Sequence, residues 1–245
     1  MVGCNRQQND EAVTASSTAI QETANNNILS TQEQNPSGDI PSVFPKSDIA
    51  ESINIDFVNE DQAIRAEQQT DKGTLLLISN GKEERGHLNV SSTLGQEGDQ
   101  TFQSNYSIVY RQGDQDKVLL ELTDYLFVQP SDKILTFKKV GFKDAGVYLL
   151  TPQYQTGHGL EGYVFAIDKQ SGNAFPLKIL TKNKFVAITL VYSEAEAPYI
   201  ENDVLVVPPP VGAGTSEGDA KDLYYQLDLN KKQLVAVKKY PLSNR

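Results

Sequence analysis

From Lys72 onward the apolar residues recur with a period of two, and this restricts what the chain can build. Ile134-Leu135-Thr136-Phe137-Lys138 alternates in character. Tyr163, Phe165 and Ile167 are expected to share one sheet face, and Leu223, Tyr225, Leu227 and Leu229 another. Phe185 to Tyr192 and Val204 to Val207 are near-continuous apolar runs with β-branched members, the pattern of strands buried on both faces. No ten-residue helical pattern separates these segments, so parallel βαβ units are not expected, and an all-β, mainly antiparallel domain of about a dozen strands is. Just ahead of it, Asn59-Glu60-Asp61-Gln62 has the spacing of a helix start, and Ala63, Ile64 and Ala66 supply a short apolar stripe. The spacing predicts a short helix near 60–69 leading into the domain.

The first 45 residues differ in kind. Between Asn5 and Pro45, 20 of 41 residues are Asn, Gln, Ser or Thr, and the few apolar residues keep no period. Such a segment buries too little surface to offset its ordering entropy. Residues 1–45 are therefore expected to be a disordered tether and residues 46–245 the folded domain. As a flexible coil the tether has a span of roughly 35 Å.

Three hairpin-like stretches begin at Ile108, Tyr163 and Leu223, with turns at Gly113-Asp114, Ser171-Gly172-Asn173 and Asn230-Lys231. With the strands before them they predict three four-stranded meanders, over 74–122, 134–180 and 185–238. A repeat of this length resembles propeller blades, and Tyr163 to Pro176 is similar to the outer hairpin of bacterial periplasmic propellers. A second resemblance lies in Leu135-x-Phe137-x-x-Val140 followed by Asp144-Ala145-Gly146-x-Tyr148. It looks like the E–F region of an immunoglobulin-like domain, with Leu150 where that family carries a Cys, and with no Trp in the chain. The two resemblances imply an antiparallel, immunoglobulin-like β-sandwich as first expectation, and propeller-like meander repeats as the second.

The only cysteine is Cys4, in Met1-Val2-Gly3-Cys4. Val2-Gly3-Cys4 resembles the end of a bacterial lipobox, where small residues precede a Cys that becomes diacylated, and a polar tether commonly follows in such lipoproteins. The apolar segment of a signal peptide is not present ahead of it. The resemblance implies lipidation at Cys4 and a lipid-anchored, extracytoplasmic place in the bacterial cell envelope.

Candidate chemistry is sparse. The chain has two histidines, His87 in a strand-like stretch and His158 in Thr156-Gly157-His158-Gly159, which reads as a loop tip. With a single Cys they do not supply the three or four ligands of a zinc site. No nucleophile elbow, phosphate loop or dinucleotide fingerprint occurs, so no metal and no cofactor is expected. Asp114-Gln115-Asp116, Glu194 and Glu196 read as turn and surface acids rather than a calcium loop. Pro208-Pro209-Pro210-Val211-Gly212 must end a strand, because proline cannot donate to a ladder. The long loop that this run opens is a candidate binding loop, and Pro209 and Gly212 in it, with His158 on its own loop tip, are the candidate ligand-binding residues.

The formal net charge is −10. That argues against nucleic acid, which is bound through Lys and Arg, and against electrostatic docking on anionic lipid. No apolar run reaches the roughly 20 residues of a transmembrane helix. The function expected is a lipid-anchored envelope module that binds protein, peptide or glycan without catalysis. An envelope hydrolase with scattered catalytic residues and an envelope assembly factor are the alternatives. A patch of exposed Tyr or Phe on one face or loop set, without perturbed carboxylates, would favour the binding module.

Overall fold

A computed structural model describes residues 40–44, 52–154, 159–211 and 220–238. Among these every regular element is a strand, and the domain is all-β, as the period of two requires.

The first sheet contains β1 (Ile53–Asn59), β2 (Ile64–Thr70), β3 (Gly73–Ser79), β4 (Glu83–Leu88), β5 (Gln100–Gln112) and β6 (Gln115–Gln129). Its registers reveal a simpler plan than six strands. β3 and β4 lie end to end along one side of β5, and β1 and β2 lie end to end along β4 and β3. The sheet is thus a meander of four long strands, each interrupted on one line: at 60–63, at 80–82, at Asn105 and at 123–124. Small polar side chains stitch this seam. Ala63 N donates to Ser79 Oγ at 2.8 Å, Ser104 Oγ to the Lys82 carbonyl at 2.7 Å, and Asp124 N to Asn105 Oδ1 at 2.9 Å. Ser79 and Ser104 are fully buried. They occupy the core because a broken ladder leaves backbone groups that need other partners.

The expected helix near 60–69 is not formed. Asp61 N turns back toward Asn59 Oδ1 at 3.4 Å, and Ile64–Thr70 then pairs with β3 as a strand. The apolar stripe was too short to stand against a fully apolar neighbour, Leu75 to Ile78, which offers a continuous ladder; tertiary pairing overrides local propensity here. The folded part also starts earlier than residue 46. Ser42 Oγ donates to the Glu84 carboxylate at 2.9 Å, and Val43 N donates to the same group. Residues 1–39 lie outside the described residues.

The second sheet is formed by β7 (Phe137–Gly141), β8 (Ala145–Leu150), β9 (Leu160–Asp168) and, on the far side of β9, two short strands. β10 (Ala174–Pro176) covers one half of that edge. The chain leaves at Pro176, which has no N–H to give, and continues as β11 (Lys178–Leu180) in a third sheet. It turns at 181–185 and returns through β12 (Val186–Ala187), which pairs with β11. Then β13 (Thr189–Tyr192) covers the other half of the β9 edge. The rest of the third sheet is the antiparallel meander β14 (Tyr199–Glu201), β15 (Val204–Val207), β16 (Leu223–Asp228) and β17 (Gln233–Val237), with β11 parallel to β17.

The three sheets stack face to face, in the manner of a sandwich with an added layer. Phe137, Tyr148, Leu150, Tyr163, Phe165 and Ile167 pack against the first sheet. Val140, Val147, Leu149, Val164 and Ala166 pack against the third. Every residue of β8 is buried, so the middle sheet has no solvent face along this strand, and its exposed residues lie on β7, β9, β10 and β13. A buried leucine or phenylalanine there contributes roughly 1.5–3 kcal/mol relative to exposure. Two expectations need adjustment. The segment resembling an immunoglobulin E–F region is the tight hairpin β7–β8 within one sheet, whereas that family places E and F in opposite sheets. And Phe185 to Tyr192 is not buried on both faces: Phe185, Val186, Ile188 and Val191 are exposed.

Candidate binding face

The detour of the chain between the second and third sheets opens a cavity. Where β10 leaves the β9 edge at Pro176 and β13 has not yet taken its place, Val164 is covered only by the Leu177 backbone, whose N–H donates to the Val164 carbonyl at 2.8 Å. On the other side of this gap lies β6, an edge strand whose residues 115–122 pair with β5 alone. The resulting cavity holds about 410 Å³, within the range of ligand pockets. Its floor is apolar, with Leu119, Leu120, Tyr163 and Phe175 among its walls.

Its rim carries four lysines, Lys117, Lys178, Lys231 and Lys232, and no carboxylate. They reach it from three elements. Lys117 on β6 donates to the Ala174 carbonyl at 2.7 Å, which ties the first sheet to β10. The Lys232 ammonium lies 5.5 Å from the Phe175 ring centre, a cation–π contact. Lys231 is 3.6 Å from the Asp228 carboxylate in the β16–β17 turn. Lys178 opens β11 beside Lys232, its N–H bonded to the Lys232 carbonyl at 3.1 Å. Ile188, 64% exposed, continues the apolar wall outward to the β11–β12 turn, where Phe185 is 67% exposed. This turn bears Lys182 and Lys184 as well. From Lys169 to Ser193 the sequence holds four lysines and no acid. Within an acidic chain, this face is basic and apolar.

A second recess lies at the end of the first sheet beyond the seam. Arg85 stands between clefts of about 300 and 330 Å³, its guanidinium 4.9 Å from the Phe57 ring and 5.4 Å from Phe102. Arg65 covers Phe102 at 4.9 Å and reaches Glu83 Oε1 at 2.7 Å. Tyr106 donates to the same oxygen, and burial together with the Glu83 charge pushes its phenol far above the ordinary tyrosine range. Asp56 and Asp132 line these clefts as well, so charges of both signs alternate around them. The arrangement braces the bent sheet and presents no uniform potential to a ligand.

The residues singled out from sequence are distributed as follows. Pro209 is half-buried after β15, and Pro208 accepts from Ser193 N at 3.0 Å, so the proline run does end the strand. Pro210 packs on Gly159, so the loop before β9 and the loop after β15 meet. Cys4, His158 and Gly212 lie outside the described residues. His87 sits on β4 with Nδ1 3.0 Å from Asp56, a strand histidine paired across to β1. Asp116 forms a two-pronged pair with Arg111 at 2.7 and 2.8 Å, which holds its carboxyl below the usual range. Asp114, Glu194 and Glu196 are exposed. Among the described residues no three His, Cys or carboxylate side chains gather to hold a metal.

The basic, apolar face is hard to see in the sequence because the run from Phe185 to Tyr192 has the apolar pattern of a core strand. The signal it does carry is the cluster of Lys178, Lys182 and Lys184 immediately ahead of that run, with no acid from Lys169 to Ser193. No protein-family model, curated protein or solved structure matches the chain.

Proposed function

We propose that the protein is a lipid-anchored component of the bacterial cell envelope that acts as a non-catalytic binding module. Cys4 is the site of acylation, the polar segment behind it is the tether, and the β6–β10–β11 cavity with the adjoining 181–188 turn is the binding face. The observation that carries this reading is the cavity itself: an apolar floor of ligand-pocket size beside exposed aliphatic and aromatic side chains, ringed by cations. The partner it fits presents an apolar group to the floor and negative charge to the rim. A glycan fits less well, because its hydroxyls would meet few polar groups at the base.

The test is site-specific photo-crosslinking in cells. A photoreactive residue replaces Val118 at the cavity mouth or, as control, the exposed Glu97 in the 89–99 loop. Adducts are expected from position 118 and not from 97. Equal labelling at both positions, or none at 118, overturns the assignment of this face.

A further inference from the structure

We propose that the partner of this face is the surface of an anionic phospholipid membrane, with the β11–β12 turn dipping into the interface and the lysines around it contacting lipid phosphates. The inference rests on the binding face assigned above and names its occupant. Phe185 and Val186 are exposed on the β11–β12 hairpin and Ile188 directly after it, and Lys178, Lys182 and Lys184 stand on the hairpin just ahead of them in the chain. Lys117, Lys231 and Lys232 extend the same face around the cavity. Among the described residues Lys178, Lys182 and Lys184 have no carboxylate within ion-pair reach.

Three physical points favour a membrane over a folded protein. Protein interfaces are depleted in lysine and enriched in arginine, yet this face has six lysines and no arginine. Lysine keeps its ammonium in water while its methylene stem lies along apolar surface, which suits a headgroup layer above acyl chains. Exposed apolar residues flanked by lysines are the composition of segments that lie in the lipid interface. The net charge of −10 does not oppose this docking. Charges farther than a Debye length of about 8 Å at physiological salt are screened, so the membrane responds to the local patch and not to the whole chain. The expectation from total charge, that anionic lipid would be avoided, is therefore reversed at this face. The acidic groups near it are few: Asp228 is engaged by Lys231, and Glu161 accepts from Thr189 Oγ1 at 3.3 Å.

The chain itself supplies the assay. It has no tryptophan and one cysteine. The F185W variant is coupled through Cys4 to maleimide lipid in vesicles of phosphatidylcholine alone or with one third phosphatidylglycerol. On the anionic vesicles the indole emission is expected to shift to the blue and to be quenched by brominated acyl chains. On neutral vesicles it stays water-like. Adding K182Q and K184Q lowers the docked-to-undocked ratio about 30-fold, the factor that ~1 kcal/mol per lysine gives. Both lysines are exposed, so circular dichroism of the variant remains that of the parent. An indole that stays in water on both vesicles, or docking indifferent to the lysines, overturns the proposal. If the photo-crosslinks at position 118 are then to protein, the binding face stands and only its occupant changes. If there are none, the face itself is withdrawn.

Discussion

The hydroxyl of Tyr106 donates to Glu83 Oε1 at 2.9 Å, and Arg65 Nε reaches the same oxygen at 2.7 Å, inside the bent end of the first sheet. Glu83 is fully buried. Its charge is tolerated there because a cation and a hydroxyl replace the water it has lost. The two partners are not equivalent. Arg65→Ala strands a buried charge and is expected to cost about 3–5 kcal/mol. Tyr106→Phe removes one hydrogen bond, keeps the ion pair and the ring contact with Phe127, and is expected to cost about 1–3 kcal/mol. Urea unfolding of both variants checks the order. A larger loss from Tyr106→Phe would mean that Arg65 does not neutralise Glu83.

Burial raises the phenols of Tyr106, Tyr125, Tyr192 and Tyr225 above the ordinary tyrosine value of about 10. At Tyr106 the neighbouring Glu83 adds to this, and at Tyr125 the hydroxyl of Tyr163, 3.3 Å away, does so. The charged form of each is penalised in the folded state. Their contribution to stability is therefore complete below about pH 10 and declines as the pH climbs beyond it. These tyrosines are expected to ionise together with unfolding, so the rise in phenolate absorbance coincides with loss of the β-sheet dichroism. A smooth titration of all tyrosines near pH 10 with the fold intact would contradict their burial.

The junction of the two loops that the sequence marked depends on Gly159. Its φ of +92° disfavours any side chain, and a Cβ there would stand 2.4 Å from Pro210 Cβ and 2.8 Å from the Tyr192 carbonyl. Gly98 has a similar φ of +87° but open space around it. Gly98→Ala is expected to cost about 1 kcal/mol, from backbone strain alone. Gly159→Ala adds a steric clash and should cost about 2–3 kcal/mol. Thermal midpoints of the pair separate the two contributions. Equal shifts would show that Pro210 yields freely.

What the sequence disclosed depended on how local the determining physics was. The turns at Gly113-Asp114 and at Ser171-Gly172-Asn173 were legible because each needs a glycine at positive φ, and Ser171 N caps the Asp168 carboxylate at 2.7 Å within four residues. The period-two face of Tyr163, Phe165 and Ile167 was legible for the same reason. β2 was not, since Ile64–Thr70 takes its strand conformation from β3, whose apolar run it borders. Nor was the exposure of Phe185 and Ile188, which follows from Pro176 sending the chain to another sheet. Hydrophobicity states a preference for burial, and topology decides whether a site for it exists. The binding face could be read only as a charge pattern, after its position was known.

Leu149 and Leu150 are adjacent on β8 and point into different cores, Leu149 toward the third sheet and Leu150 toward the first. Both are almost wholly inaccessible. Truncating either to Ala leaves a cavity beside a strand without solvent contact and is expected to cost about 2–5 kcal/mol. The larger consequence concerns cooperativity. The same strand forms a wall of both cores, so neither outer sheet keeps its packing when β8 is lost, and one unfolding transition is expected for each variant. Hydrogen exchange checks this residue by residue. Leu149→Ala should lower the protection of amides in β3 and β5 of the first sheet as much as that of β15 and β16 in the third. Protection lost only on the side of the cavity would show that the layers unfold as separate units, each stabilised by its own meander.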